Sequence, residues 1–210
     1  AAIIDDDKVT FRTRSVIGKN VSDRRSPEFS DVMEYMEINP NWNVPRSISR
    51  NEYLPGMIAS GGASSRHLQL IDGRGRVVSR GNVNWGAYSP RNFPYDLRQP
   101  PSRGNALGVV KFIFPNQWNI YLHDSPAKNL FNTEVRTHSS GCVRLARPFE
   151  FGYEILSAQV SNPREYFHSI LDTGTETQVP LETKVPVHIT YKTAYAPAQG
   201  NVQYRPDVYG

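Results

Sequence analysis

The 210-residue chain contains one cysteine, Cys142, and five histidines. Two of those histidines, His123 and His138, share the stretch "YLHDSPAKNLFNTEVRTHSSGCVRL" with the thiol. A thiol is a nucleophile once a base within hydrogen-bond reach takes its proton. A lone cysteine is most often a small core hydrophobe, but the small, polar residues before Cys142 predict a surface turn. Gly141 directly before it permits a positive φ or a close backbone approach. A helix expected soon after would lower the thiol pKa through its N-terminal N–H groups. Residue types alone leave the base open. His138 lies in the same turn, and His123 ends a predicted strand, where an imidazole can be held rigidly. One cysteine also excludes an internal disulfide and any multi-cysteine metal site.

The elements that must position these residues follow from the apolar pattern. "KVTFRTRSVIG" and "DVMEYMEINP" read as strands. A short helix is expected between Pro45 and Pro55-Gly56. "HLQLIDGRGRVVS" reads as a hairpin turning at Gly73 and Gly75, and the Pro-rich "PYDLRQPPSRGNALG" as loop. "VVKFIFP" and "NIYLHD" are strands, the second delivering His123 at its end. Helices are expected over "RPFEFGYEILSAQV" and over "NPREYFHSILDTG", the latter stopped by Gly174. "VPVHITYKTAYA" closes the pattern as a strand, with "NVQYRPDVYG" pairing with it across 197–200. "ASGGASS", Ala59–Ser65, has no side chain to pack and is expected to be a flexible connector. The chain is therefore mainly β with helices, an α+β fold, in one domain over residues 1–210.

Bulk composition bounds the partners. The net charge of +4 and pI near 9.2 favour anionic partners mildly. The basic residues are scattered, without a Lys/Arg run interleaved with aromatics, so nucleic acid is not expected. No apolar run reaches the length of a membrane span, and "AAIIDDDKVTF" lacks the pattern of a signal peptide. His67, His168 and His188 carry no metal-ligand spacing, and Trp42, Trp85 and Trp118 read as core or groove aromatics. No metal or cofactor is expected.

The segment around the thiol resembles the L,D-transpeptidase catalytic domain family (YkuD-like). Its signature is a histidine, a spacer, then Ser/Thr-His-Gly-Cys, an apolar residue and Asn or Arg. Here the histidine is His123, the spacer is Asp124 to His138, and the second block is Ser139-Ser140-Gly141-Cys142-Val143-Arg144. The second motif histidine aligns with Ser140, a departure that resembles the large periplasmic Gram-negative subgroup. "INPNWNVPRSI", "NEYLP", "NVNW", "RNFPYDLRQPPSRGNALGVVKFIFPN" and "YKTAYA" look like further segments of that subgroup's domain.

The resemblance implies a β-sandwich with a shortened or missing cap insertion near residues 59–65, a periplasmic location and no cofactor. It implies that Cys142 attacks a peptidoglycan stem peptide, releases D-alanine as a thioester forms, and transfers the acyl group to an amine of a second stem in a 3–3 cross-link. Carbapenems are possible inhibitors. His123 becomes the base and His138 a flanking residue. The N–H groups of Gly141 and Cys142, with the Tyr121 phenol, are the expected oxyanion donors. Arg144 would bind a stem carboxylate, and Ser139 and Ser140 would contact substrate or hold the turn. Alternatives are a carboxypeptidase or endopeptidase using the same thioester, and a non-catalytic peptidoglycan-binding module.

Overall fold

The computed structural model describes residues 1–196 and 200–210. β1 (Ala2–Asp5) and β2 (Lys8–Arg12) form an antiparallel hairpin. β3 (Ser15–Gly18) follows, so the strand expected over Lys8–Gly18 is split between two sheets. The long β4 (Phe29–Ile38) and the short β5 (Trp42–Asn43) come next. One helical run then spans α1 (Arg46–Ile48), a π-turn at Ser49–Tyr53 and α2 (Leu54–Ala59). Pro55 and Gly56 were expected to end this helix and instead lie inside it. Pro55 sits in the first turn of α2, where its missing N–H costs least, and the wider π-register precedes it.

β6 (Gln69–Ile71) and β7 (Val77–Val78) form the predicted hairpin. Gly75 at its turn has φ +79°. β8 (Asp96–Gln99) occupies a stretch read as loop. Its prolines, Pro94, Pro100 and Pro101, flank the strand, while Leu97 inside it is buried. β9 (Val110–Ile113), β10 (Leu122–His123), β11 (Thr137–Ser139) and β12 (Val143–Leu145) follow. Two helices, α3 (Pro148–Leu156) and α4 (Pro163–Leu171), lead into the 13-residue β13 (Thr177–Ile189). Gly174, at φ +66°, follows α4 as expected. β14 (Ala194–Tyr195) pairs with β15 (Gln203–Tyr204); the turn expected to join them falls partly outside the described residues.

Seven strands form the main sheet in the order β11-β3-β12-β10-β9-β4-β13, and four form a second in the order β5-β8-β6-β7. The protein is thus α+β. β13 lies at a sheet edge, which tolerates Pro180 and Pro186 within it. One face of the main sheet packs on α3 and α4. Phe112 of β9 meets Phe151 of α3 edge-on at 4.8 Å, and Gly152 lets Phe167 and Phe112 approach its backbone. Burying each of these phenylalanines contributes about 2–3 kcal/mol. A second core gathers Trp42, Leu54, Met57, Leu70, Trp85 and Leu97 around the smaller sheet. Tyr121 touches both cores.

The segment at 59–65 corrects the expectation of an unpacked connector. Gly62 is buried at φ +84°, and a Cβ there would lie 2.4–2.6 Å from the Trp85 ring. The Arg80 guanidinium donates to the carbonyls of Gly62, Ser64, Ser65 and Leu68 at 2.6–2.7 Å. The small residues make room for an indole and point their carbonyls at one cation.

Candidate active site

β10 lies between a parallel neighbour, β12, and an antiparallel one, β9. Leu122 pairs with Val143 and with Phe112 toward the helices, so Tyr121, His123, Cys142 and Arg144 share the opposite face. His123 stands beside Arg144 in register. Cys142 is its diagonal neighbour, a relationship that in regular sheets spans roughly 7–8 Å between backbones and is bridged by longer side chains. The Tyr121 and His123 rings sit 5.6 Å apart on this face.

His123 is 3% exposed. Its Nδ1 lies 2.5 Å from the Asp124 carbonyl oxygen. A carbonyl only accepts, so Nδ1 carries the proton and Nε2 keeps its lone pair. Burial, then the Arg144 guanidinium and Lys111, depress the imidazole to about 3, against the opposing pull of the Asp124 and Leu107 carbonyls. The ring is a neutral base throughout the physiological range. The Asp124 carboxylate accepts from the Val109 N–H at 3.1 Å and pairs with Lys128. A Cβ at Gly108 would collide with it at 2.1–2.4 Å. Asp124 therefore orients His123 through its main chain and holds the 108–109 turn through its side chain.

Cys142 is partly exposed, and its thiol lies 3.6 Å from the Asn119 carbonyl. Burial of its surroundings pushes the thiol up to about 11, although the Tyr121 N–H and phenol, Arg144 and Lys111 all favour the thiolate. This reverses the expected lowering by a helix. The chain after Cys142 enters β12, and the helix starts only at Pro148. The resting pair is thus neutral thiol and neutral imidazole. The Tyr121 phenol is itself pushed well above its ordinary range, first by burial and then by the neighbouring thiolate, and stays protonated as a donor.

The turn before Cys142 is internally bonded. Ser139, 2% exposed, donates from Oγ to the Cys142 carbonyl at 2.5 Å and accepts the Gly141 N–H at 3.2 Å. Ser139 thus holds the turn, one of the two roles expected of it, and the Gly141 N–H, an expected oxyanion donor, is bonded to the Ser139 hydroxyl. Gly141 contributes its φ of +119°, and its carbonyl accepts from Ser26 Oγ at 2.6 Å. Ser140 is exposed at the tip. Arg144 is half-buried with an Nε that has no partner; burial disfavours its charge while the Cys142 thiolate favours it.

His138 faces Val135 O and Thr133 Oγ1 at 3.1 and 3.4 Å, outside the Tyr121–His123–Cys142–Arg144 group. His168 bonds Tyr153 and His188 bonds Ser30, both at 2.7 Å. Among the described residues no three His, Cys, Asp or Glu side chains cluster as a metal site, and no helix is long and apolar enough to cross a membrane.

Several supports were not found from the sequence. Asn116 fastens the turn before β10 with bonds to Phe114 O, Ile120 O and the N–H groups of Trp118 and Ile120. Asn119 takes φ +53° there; an Asn in a turn is the available signal, because Asn tolerates that conformation. Ser26 is in turn held by the C-terminal segment: its N–H donates to Tyr209 Oη at 3.2 Å, and the same phenol donates to Gly18 O at 2.9 Å.

A family model described as the L,D-transpeptidase catalytic domain (YkuD) matches residues 1–187. A Haemophilus influenzae protein named "Putative L,D-transpeptidase" is 32% identical over 206 residues, covering 98% of this chain and 41% of that protein. The chain belongs to the L,D-transpeptidase catalytic domain family. It spans less than half the length of the curated relative it matches.

Proposed function

We propose that this domain is a cysteine L,D-transpeptidase of peptidoglycan acting in the periplasm. The supporting observation is one sheet face that carries a thiol, a buried imidazole whose Nδ1 bonds the Asp124 carbonyl, a protonated phenol at the sulfur and an arginine with an unpartnered Nε. His123 takes the thiol proton as Cys142 attacks the amide carbonyl next to the terminal D-alanine of a tetrapeptide stem. Because neither group is charged at rest, proton transfer accompanies attack rather than preceding it. The Tyr121 phenol and the Cys142 N–H stabilise the oxyanion, and Arg144 takes a stem carboxylate. D-alanine leaves with the proton from His123, a thioester remains, and the amine of a second stem resolves it into a 3–3 cross-link.

Incubation with a disaccharide-tetrapeptide, followed by mass analysis, tests this. The expected products are free D-alanine and a dimer, both lost in Cys142→Ala, together with a carbapenem adduct on the wild-type thiol. Trimmed tripeptide without dimer would make the domain a hydrolase, and binding without turnover would make it a peptidoglycan-binding module.

A further inference from the structure

The proposed reaction leaves unused a charged pair on the same face. Lys111 of β9 is in register with His123 on one side and with Glu37 of β4 on the other. One row across the sheet therefore reads Arg144, His123, Lys111, Glu37. Lys111 Nζ and a Glu37 carboxylate oxygen are 2.5 Å apart, with side chains only 15% and 16% exposed. A pair so desolvated gains little for stability over apolar residues of the same size, so its presence beside a thiol–imidazole pair asks for another reason. Lys111 Nζ also lies 5.9 Å from the Tyr121 ring centre, within cation–π range.

We propose that Lys111, tethered by Glu37, is a positioning residue of the thiol–imidazole pair: it seats the Tyr121 ring that faces the sulfur and, with Arg144 on the other side, brackets His123 between two cations so that the ring stays in its basic form. The role assigned to His123 rests on the transpeptidase reading; the electrostatic arrangement does not. The groups facing His123 are Arg144 from β12, Lys111 from β9, Tyr121 from its own strand, and the Asp124 and Leu107 carbonyls. Those facing the thiol are Tyr121, Arg144, Lys111 and the Asn119 carbonyl. Glu37 sits behind Lys111 and moderates its charge. The cation lowers the proton affinity of both reacting groups, and the anion limits that effect.

The two halves of the pair therefore act in opposite directions, which a packing role would not do. A unit charge roughly 10 Å away at an effective dielectric near 20 changes an acid constant by about tenfold. A thiol of higher pKa yields less thiolate but a more nucleophilic one, so the rate changes by about threefold. The test is iodoacetamide alkylation of Cys142 in the intact domain between about pH 7 and 9, with thermal melts to check folding. Lys111→Met is expected to slow alkylation about threefold, Lys111→Arg to leave it within about twofold of wild type, and Glu37→Gln to accelerate it about twofold. If Lys111→Met does not melt cooperatively, the acceleration in Glu37→Gln alone decides the matter. Variants that fold but leave the rate unchanged, or that shift it in the same direction, would overturn the inference. The assay uses no stem peptide, so a failure of the transpeptidase reading would show separately, in the product analysis.

Discussion

Replacing Ser139 by alanine removes one oxygen that serves two backbone groups. The hydroxyl donates to the Cys142 carbonyl and accepts the Gly141 N–H, in a position 2% open to solvent. Alanine fits the space but leaves both groups without a partner. Each orphaned buried group costs about 1–3 kcal/mol, so the loss is about 2–6 kcal/mol, against a total of roughly 5–15 kcal/mol for a domain. For a chain of this size the melting temperature falls by roughly 5–15 °C. Ser140→Ala, one residue on and exposed, is the control and stays within about 0.5 kcal/mol of wild type. Urea unfolding followed by tryptophan fluorescence measures both. Equal midpoints for Ser139→Ala and wild type would refute the assignment of Ser139 to the turn and return it to the substrate.

Two further predictions concern stability. His123 titrates at about 3 in the folded chain against 6.5 for the ordinary group, so the unfolded chain binds the extra proton. Stability is then independent of this group above about pH 6.5 and falls by roughly 1.4 kcal/mol per unit as the pH drops toward 3; urea midpoints across that window should show a limb that His123→Asn lacks. Gly62→Ala drives a Cβ into the Trp85 ring at a left-handed φ and should cost about 3 kcal/mol or more, whereas Gly61→Ala, left-handed but with open space around it, should cost about 1 kcal/mol. Equal thermal shifts for the two would contradict the packed form of the 59–65 segment.

Local composition reports what a segment could do alone, and two of the failed expectations came from partners distant in sequence. Ala59–Ser65 looked unpackable because its contacts belong to Arg80 and Trp85. Asp96–Gln99 looked like loop because of its flanking prolines, yet its backbone pairs with β5 and β6. The thiol looked activated by a helix, but β12 intervenes and burial dominates. Elements with helical spacing, such as α3 and α4, matched their patterns because an apolar stripe has one way to be buried.

What the sequence determined by itself was the chemistry-bearing set. The spacing from His123 to Cys142 pointed to the family and separated His123 from His138, since that signature is written in residue order. What only the tertiary structure decided was the state of that set. The parallel register of β10 and β12 puts Tyr121, His123, Cys142 and Arg144 on one face, the Asp124 carbonyl selects the tautomer, Ser139 occupies the Gly141 N–H, and Lys111 with Glu37 completes the row. Proton affinity depends on burial and on charges brought from other strands, and neither exists until the sheet has formed.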